Sequence, residues 1–231
     1  MPPAYLTSPD QSTTHLPASH APHGDRRPHL RYEQALWRAG LSHVAGVDEV
    51  GRGALAGPLV AAAVVLPPFF EAPWLADLRD SKLLTPARRE ALAALIRHDA
   101  LAIGLGMAPA PVIDRAGLAA ANHAAMAAAV ASLGLRPDFL LIDAVLLCGV
   151  EVDQAALIGG DASCVSVACA AVVAKVTRDR LMTRLDARVP GYQFARHKGY
   201  GTAEHLVALA RLGPSPLHRR SFAPVRDLRT A

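Results

Sequence analysis

One stretch of the chain decides how the rest folds. It spans residues 44–66 and reads Val44-Ala-Gly-Val-Asp-Glu-Val-Gly-Arg-Gly-Ala-Leu-Ala-Gly-Pro-Leu-Val-Ala-Ala-Ala-Val-Val-Leu66. Its two apolar runs, the second starting at Leu55, are typical of buried strands and predict an antiparallel hairpin. Burying Asp48 and Glu49 unpaired in the first strand would cost on the order of several kcal/mol. The stretch therefore predicts that a cation or strong hydrogen-bond donors meet these carboxylates.

The turn between the two strands suggests what that cation is. Gly51-Arg52-Gly53 places two flexible backbone positions around a guanidinium, which suits close approach to a phosphate or a sugar. Carboxylates beside such a loop indicate a divalent metal, since Mg²⁺ prefers carboxylate oxygens together with substrate phosphates. A salt-bridged strand end, with Arg52 pairing Asp48 or Glu49, explains the same residues. The stretch alone leaves both interpretations open.

Two further acids lie later in the chain. The apolar run Phe139–Asp143 ends in a lone carboxylate, at the strand end where open α/β sheets place their sites. Asp143 is therefore a candidate third metal ligand. Asp161 precedes a long helix, which we expect to be amphipathic and to run from about residue 165 to 188. Helix capping or a turn is the alternative role for Asp161.

The remaining patterns predict a mixed sheet covered by helices, an α/β fold. A third strand is expected at residues 101–107. Helices are expected at residues 30–39, 86–98, 111–133 and 202–212. Thr85 before Pro86 predicts a capped helix start, and the helix that begins at Thr202 is also expected to be capped. The alanine-rich segment 111–133 predicts one helix closed by Gly134.

Composition favours a globular protein that binds a polyanion. The chain is 52% hydrophobic and 19% charged, with a net charge of +4. Residues 175–231 hold 12 of its 24 lysines and arginines but only 4 of its 20 acids. Such a basic quarter, in which we expect His218-Arg219-Arg220 to add basic surface, suits nucleic acid, although a solvated helix face is the alternative.

Other classes of protein are disfavoured. No apolar run is long enough to span a membrane, and no signal-peptide core is found, so a cytoplasmic location and no membrane partner are expected. Cys148, Cys164 and Cys169 are expected to be buried free thiols. Residues 1–30, rich in proline and histidine, predict a disordered extension.

Several motifs, separately spaced but in a consistent order, resemble one known family. They are Asp48-Glu49-Val50-Gly51-Arg52-Gly53 with Gly57-Pro58, Asp80-Ser81-Lys82, Asp143, Asp161, Ala174-Lys-Val-Thr-Arg-Asp179, His197-Lys-Gly-Tyr200 and His218-Arg-Arg-Ser-Phe222. In this order they resemble the bacterial ribonuclease HII family, from about Val44 to the C-terminus, and several ordered motifs are more specific than one. The resemblance implies a ribonuclease H-like fold, a mixed five-stranded sheet flanked by helices. It also implies a catalytic domain at residues 31–189 and a small basic helical region at 190–231 that closes the substrate groove.

The resemblance further implies an endonuclease. The enzyme would cut the RNA strand of RNA–DNA hybrids, and cut 5′ of single ribonucleotides in duplex DNA, in the setting of ribonucleotide excision repair. Two Mg²⁺ or Mn²⁺ ions on Asp48, Glu49, Asp143 and Asp161 would activate water, leaving 3′-hydroxyl and 5′-phosphate ends. We expect a monomer. The implied substrate-binding residues are Gly51, Arg52 and Gly53 at the 2′-hydroxyl, Tyr200 on the adjoining deoxyribose, and Lys82 and Lys198 at phosphates.

Three positions depart from the family pattern. Arg79 stands where the family usually has asparagine, Gly159 where it has lysine and Ala171 where it has serine. The last two lie near Asp161 in the pattern, so the hydrogen bonding around this acid is expected to differ from that of the family. Another two-metal polynucleotidyl transferase, such as a junction resolvase or an integrase, is one alternative. A catalytically silent hybrid-binding module is the other.

Overall fold

A five-stranded mixed sheet organises the molecule. The computed structural model describes residues 27–79, 81–82 and 84–229. The strands are β1 (Val44–Val50), β2 (Leu59–Val65), β3 (Ala102–Ala108), β4 (Phe139–Asp143) and β5 (Asp153–Leu157). Their order across the sheet is β3-β2-β1-β4-β5. β1 and β3 pair antiparallel with β2, whereas β4 pairs parallel with β1 and β5, which confirms the predicted hairpin and mixed sheet.

Helices cover both faces of this sheet. In the described part of the chain they are α1 (Arg31–Arg38), α2 (Pro86–Asp99), α3 (Ala110–Ala116), α4 (Leu118–Ala131), α5 (Gly160–Ser163), α6 (Val165–Arg188), α7 (Phe194–His197) and α8 (Ala203–Leu212). The predicted caps are present, since Thr85 accepts from the Arg88 amide and Thr202 from the His205 amide. None of the helices described is long and apolar enough to cross a membrane.

The alanine-rich segment forms two helices, so the prediction of one helix over 111–133 was wrong. The break between α3 and α4 lies at Gly117, whose φ of +83° and ψ of 159° are not helical. α4 lies directly on β3 because two glycines remove the side chains between them. A Cβ on Gly104 would come within 1.9 Å of the Ala129 carbonyl oxygen, and one on Gly106 within 2.0 Å of that of Ala125.

Helix α6 lies on the opposite face, close to β1. A Cβ on Gly46 would come within 2.1 Å of the Ser166 backbone, so only glycine permits this approach. The first half of α6 is buried on every side, residues 165–174 included, because β1, β2 and α2 enclose it. The expected amphipathic pattern is therefore wrong for this half of the helix.

Two further predictions need correction, one on the N-terminal extension and one on the cysteines. His29 and Leu30, assigned to a disordered extension, are attached to the domain: the His29 amide donates to the Ser163 carbonyl at 3.1 Å, and Leu30 packs against the core. Residues 1–26, which make up most of that extension, lie outside the described residues. Cys148 is exposed rather than buried, whereas Cys164 and Cys169 are buried free thiols as expected.

The C-terminal region packs against the hairpin turn. The amides of Leu55 and Ala56 both donate to the Gly199 carbonyl, at 2.8 and 3.2 Å. His218 and Arg219 are 1% and 0% exposed, so the expectation that they add basic surface was wrong. They are buried because this region fills the space beneath the turn.

Candidate active site

The sheet brings the four predicted acids to one pocket. Asp48 and Glu49 lie near the end of β1, Asp143 ends β4, and Asp161 lies in the first turn of α5. Because β1 and β4 are adjacent and parallel, their carboxyl ends meet at the same edge of the sheet. All four side chains line a pocket of about 570 Å³.

Asp48 is the most buried of the four, at 6% exposed. Its Oδ1 accepts the Glu49 amide at 2.6 Å. Burial raises the pKa of Asp48 well above its usual range, and the nearby carboxylates of Glu49, Asp143 and Asp161 raise it further. Burial also raises the pKa of Glu49, against the lowering effect of Arg52. Ionising both acids in this pocket is thus unfavourable unless positive charge is added.

Asp143 is held by the backbone of the α5 turn. Its Oδ1 accepts the Gly160 amide at 2.8 Å. Burial raises the pKa of Asp143, and Asp161 adds to that rise, whereas the Gly160 hydrogen bond and the charge of Lys82 oppose it. Asp161 contacts a cation, with Lys82 Nζ 3.4 Å from its Oδ2. The hydrogen bond to Gly160 thus fixes Asp143 beside Asp161, whose carboxylate faces Lys82.

Two cationic side chains, Arg52 and Lys82, already contact the acid cluster. Arg52 Nη1 lies 3.4 Å from Glu49 Oε1, so the salt-bridged strand end considered above is present at Glu49. As the side chains stand, no three acids, histidines or cysteines among residues 27–79, 81–82 and 84–229 converge on one metal position. The donor set nevertheless fits a hard divalent cation, since it consists of carboxylate oxygens, and three of the four acids have raised pKa values.

The glycines of the predicted loop have different physical roles. Gly51 has a φ of +95°, and a Cβ there would come within 2.3 Å of Arg178 Nε, so the protein itself requires this glycine. A Cβ on Gly53 would meet nothing within 4 Å. Gly53 and the exposed Arg52 both line the acidic pocket, so this stretch of backbone is open to a ligand.

Of the two predicted residues in the C-terminal region, only Tyr200 reaches the pocket. Its ring lies 5.3 Å from the Arg178 guanidinium carbon and 5.8 Å from Lys175 Nζ, as in cation–π contacts. Lys198 lines a separate groove, where its ammonium donates to Thr183 Oγ1 at 3.0 Å and to the Ala195 carbonyl. The structure thus places Lys198 apart from the acids.

Sequence reasoning missed a second set of pocket residues. Lys175 and Arg89 both line the pocket and both bond to Asp179, at 2.7 and 3.3 Å. Arg89 also donates to the carbonyls of Ser81 and Leu84, on either side of the loop that carries Lys82. The four-residue spacing of Lys175 and Asp179 was visible in the sequence, whereas the contact with Arg89 spans 90 residues. Asp80, in the predicted Asp-Ser-Lys motif, lies outside the described residues.

Carboxylates at the adjacent ends of β1 and β4, in a sheet of order β3-β2-β1-β4-β5, define the class of ribonuclease H-like proteins. The family model for Ribonuclease HII matches residues 45–225, which is most of the chain. The chain belongs to the ribonuclease HII family.

Known proteins of this class agree with that assignment. The chain is 49% identical over 196 residues to the Ribonuclease HII of Dehalococcoides mccartyi, a match that covers 85% of this chain and 93% of that protein. The crystal structure of the ribonuclease H2 from Pyrococcus horikoshii OT3 is similar, with a TM-score of 0.64, 26% identity, and coverage of 81% of this chain and 97% of that one. Bst-RNase HIII, solved in complex with Mn²⁺, shares the fold, with a TM-score of 0.56, 18% identity, and coverage of 85% and 73%.

Proposed function

We propose that this protein is an endonuclease that hydrolyses the RNA strand of RNA–DNA hybrids and cuts 5′ of single ribonucleotides in duplex DNA. One observation carries the proposal. Four carboxylates share a pocket with the Gly51–Gly53 loop and with the ring of Tyr200. A pocket that combines acids for a metal with a loop and an aromatic ring for a sugar suits a phosphodiester next to a ribose.

The four acids Asp48, Glu49, Asp143 and Asp161 would hold the divalent cations, Mg²⁺ or Mn²⁺, and we propose two ions during catalysis. Such ions, when bound, lower the pKa of a coordinated water and neutralise charge on the phosphate and leaving oxygen. The raised pKa values of Asp48, Glu49 and Asp143 support this assignment, because a bound cation would offset the burial, and the weaker repulsion between carboxylates, that raise them.

The chain's other residues bind and orient the nucleic acid. Arg52 and Lys82 border the acids and are suitably charged to bind the phosphates on either side of the scissile bond. The backbone at Gly53 lies open to the pocket, where an amide can donate to a 2′-hydroxyl. Tyr200 presents its ring for stacking on the adjoining sugar. Together these contacts would select a ribose next to a deoxyribose.

Two other functions remain to be separated from this one. A different two-metal transferase would cut all-DNA substrates, and its pocket would have no need of a loop that reads the 2′-hydroxyl. A silent binding module would bind hybrids without cutting them. The burial of Asp48 favours an enzyme, because a module that only binds a polyanion gains nothing from four acids at the centre of its site.

One cleavage experiment distinguishes all three functions. Three duplexes of the same sequence are end-labelled: an RNA–DNA hybrid, a DNA duplex with one ribonucleotide, and an all-DNA duplex. Each is incubated with the protein in Mg²⁺, in Mn²⁺ and in EDTA. We expect cuts in the first two duplexes only, a single cut 5′ of the lone ribonucleotide, and none in EDTA. Cutting of the all-DNA duplex would support another transferase, and no cutting of any duplex in either metal would support the silent module.

A further inference from the structure

Two buried arginines lie beneath the turn that joins β1 to β2. Arg178 and Arg219 are both 0% exposed, and within the described ranges neither forms an ion pair with a carboxylate. Burial first, and then the charge of Arg178, lower the pKa of Arg219 to about 10. Burying two like charges without a carboxylate is costly, so their hydrogen bonds must be strong ones.

Arg219 binds both arms of the turn at once. Its Nη1 donates to the Arg52 carbonyl at 2.7 Å, while Nε and Nη2 both donate to the Gly57 carbonyl at 3.1 Å. Arg178 holds the second arm, donating to the carbonyls of Pro58 at 2.8 Å and Ala56 at 3.1 Å. Of the two, only Arg219 contacts the backbone of the Gly51–Gly53 loop through hydrogen bonds.

This contact fixes the direction of one amide. The Arg52 carbonyl and the Gly53 N–H belong to the same trans peptide group and therefore point in opposite directions. Because the carbonyl points into the protein toward Arg219, the N–H of Gly53 points away from it. Gly53 lines the acidic pocket, and its N–H has no hydrogen-bond partner in the described part of the molecule. The Gly53 N–H can therefore donate a hydrogen bond to a ligand in the pocket.

We propose that Arg219 is a positioning residue for ribose recognition, which it achieves from outside the pocket by aiming the Gly53 N–H at the substrate's 2′-hydroxyl. The inference rests on the proposed function, since it assumes a ribose beside the acids. Arg219 itself does not line the pocket, so its effect on a substrate would pass through the loop. The C-terminal region thereby acts on specificity through one guanidinium.

Two binding constants per variant test this inference. The parent is Asp48→Asn, which we expect not to cleave, and the ligands are two duplexes of identical sequence, one with a single ribonucleotide and one all DNA. The measured quantity is the ratio of their Kd values. Arg219→Met keeps the length and the apolar stem but removes every donor. We expect the Kd ratio that favours the ribonucleotide to fall by about tenfold, which corresponds to the loss of one hydrogen bond, while the affinity for the all-DNA duplex stays unchanged.

A matched control loosens the same segment without touching the loop. Asp114 accepts the amides of Arg220 and Ser221, both at 2.9 Å, so Asp114→Asn weakens the attachment of the residues next to Arg219. We expect its Kd ratio to equal that of the parent. General destabilisation reduces the active fraction, which affects both ligands equally and leaves the ratio unchanged. The ratio therefore separates positioning from stability.

The outcomes are distinct. If Arg219→Met does not fold, Arg219→Lys replaces it, since lysine keeps the charge but lacks a fork for two carbonyls. We expect an intermediate ratio from that variant. A folded Arg219→Met or Arg219→Lys protein that keeps the full preference overturns the inference alone. A parent with no preference between the two duplexes overturns the proposed function, and the inference with it.

Discussion

At the scale of single residues, the acids at the edge of the sheet lower the stability of the metal-free protein. Asp48 shows this best, because burial and three neighbouring carboxylates raise its pKa. A folded-state pKa above the unfolded value means that ionisation opposes folding as the pH rises through the folded-state pKa. At neutral pH and without divalent ions, the site is therefore a source of instability.

Asp48→Asn should consequently lose cleavage but gain stability. We expect activity to fall at least about a hundredfold, as when a group that stabilises a transition state is removed. The melting temperature in EDTA should rise, and Mg²⁺ should raise it less than in the wild type. Calorimetry with and without Mg²⁺ measures both effects, with the exposed Asp153→Asn as the control. A wild-type turnover rate in Asp48→Asn would show that Asp48 is not a catalytic residue.

Tyr200 offers a second test at this scale. Tyr200 lines the pocket and its ring contacts Arg178 and Lys175, so Tyr200→Ala removes a stacking surface worth roughly 1–3 kcal/mol. We expect kcat/KM for the single-ribonucleotide duplex to fall about tenfold to a hundredfold, and less for a long hybrid, which has no junction to read. Tyr200→Phe, which keeps the ring, is the control. Equal losses on both substrates would make Tyr200 a packing residue.

At the scale of elements, helix α6 starts without a cap of its own. Its N-cap residue, Cys164, makes no side-chain capping bond. Glu33 of α1 supplies the acceptor instead: its Oε1 accepts the Ser166 amide at 2.7 Å and the Cys164 thiol at 3.1 Å. A carboxylate at this helix end also interacts favourably with the helix dipole. The short helix α1 is thus joined to the central helix by a buried acid.

Glu33→Ala should therefore destabilise the protein by about 2–3 kcal/mol, because it leaves a buried amide unpaired. Glu33→Gln keeps a carbonyl acceptor, and we expect its free energy of unfolding to lie within about 1 kcal/mol of the wild type. Urea unfolding measures both, with the exposed Glu151→Ala as the control. Equal losses in the two Glu33 variants would show that the negative charge matters and the acceptor does not.

The same elements show what the sequence can and cannot predict. The hairpin, the strand that ends at Asp143 and the capped starts of α2 and α8 follow from local patterns, and local patterns were enough to predict them. The capping of α6 by Glu33 was not predictable. Glu33 and Ser166, whose amide it accepts, are separated by 133 residues, and no local pattern links them. Gly117 was missed for another reason: one glycine inside an alanine-rich run is compatible with a continuous helix.

In the candidate site, too, some residues were predictable from local patterns and others were not. Strand ends placed Asp48, Glu49 and Asp143 correctly, because parallel neighbours bring their carboxyl ends together. Charge alone misplaced Arg219, since a basic residue in a basic segment is usually exposed. Its burial depends on carbonyls 162 and 167 residues away, which no inspection of the segment itself could identify.

At the scale of the whole molecule, three buried histidines join the C-terminal region together. The Ser215 amide donates to His218 Nδ1 at 3.0 Å, so the proton of His218 is on Nε2, which lies 3.1 Å from His205 Nε2. His205 in turn contacts the Tyr200 carbonyl through Nδ1 at 2.9 Å. His197 stacks on His205 with ring centroids 4.3 Å apart. Both hydrogen bonds use neutral rings, and a further proton on His205 Nε2 would face the N–H of His218 across 3.1 Å.

The contribution of these histidines to the free energy of unfolding should therefore fall as the pH drops from about 6.5 toward 4. Burial first, and then the proximity of His205, lower the pKa of His218 to about 4, and burial also lowers that of His205. Between the unfolded and folded pKa values the unfolded chain binds more protons, so acid favours unfolding. The site acids act in the opposite sense, because their pKa values are raised. Comparing variants is thus necessary to isolate the histidines.

His218→Gln makes that comparison. Glutamine keeps one acceptor for the Ser215 amide and one donor for His205 but does not titrate. We expect the variant to be less stable than the wild type at pH 7.5 and to lose less stability between pH 7 and pH 5, as urea unfolding at each pH will measure. The exposed His98→Gln is the control and should follow the wild type. If His218→Gln shows the wild-type pH dependence, acid sensitivity arises elsewhere in the molecule and the histidine cluster only packs.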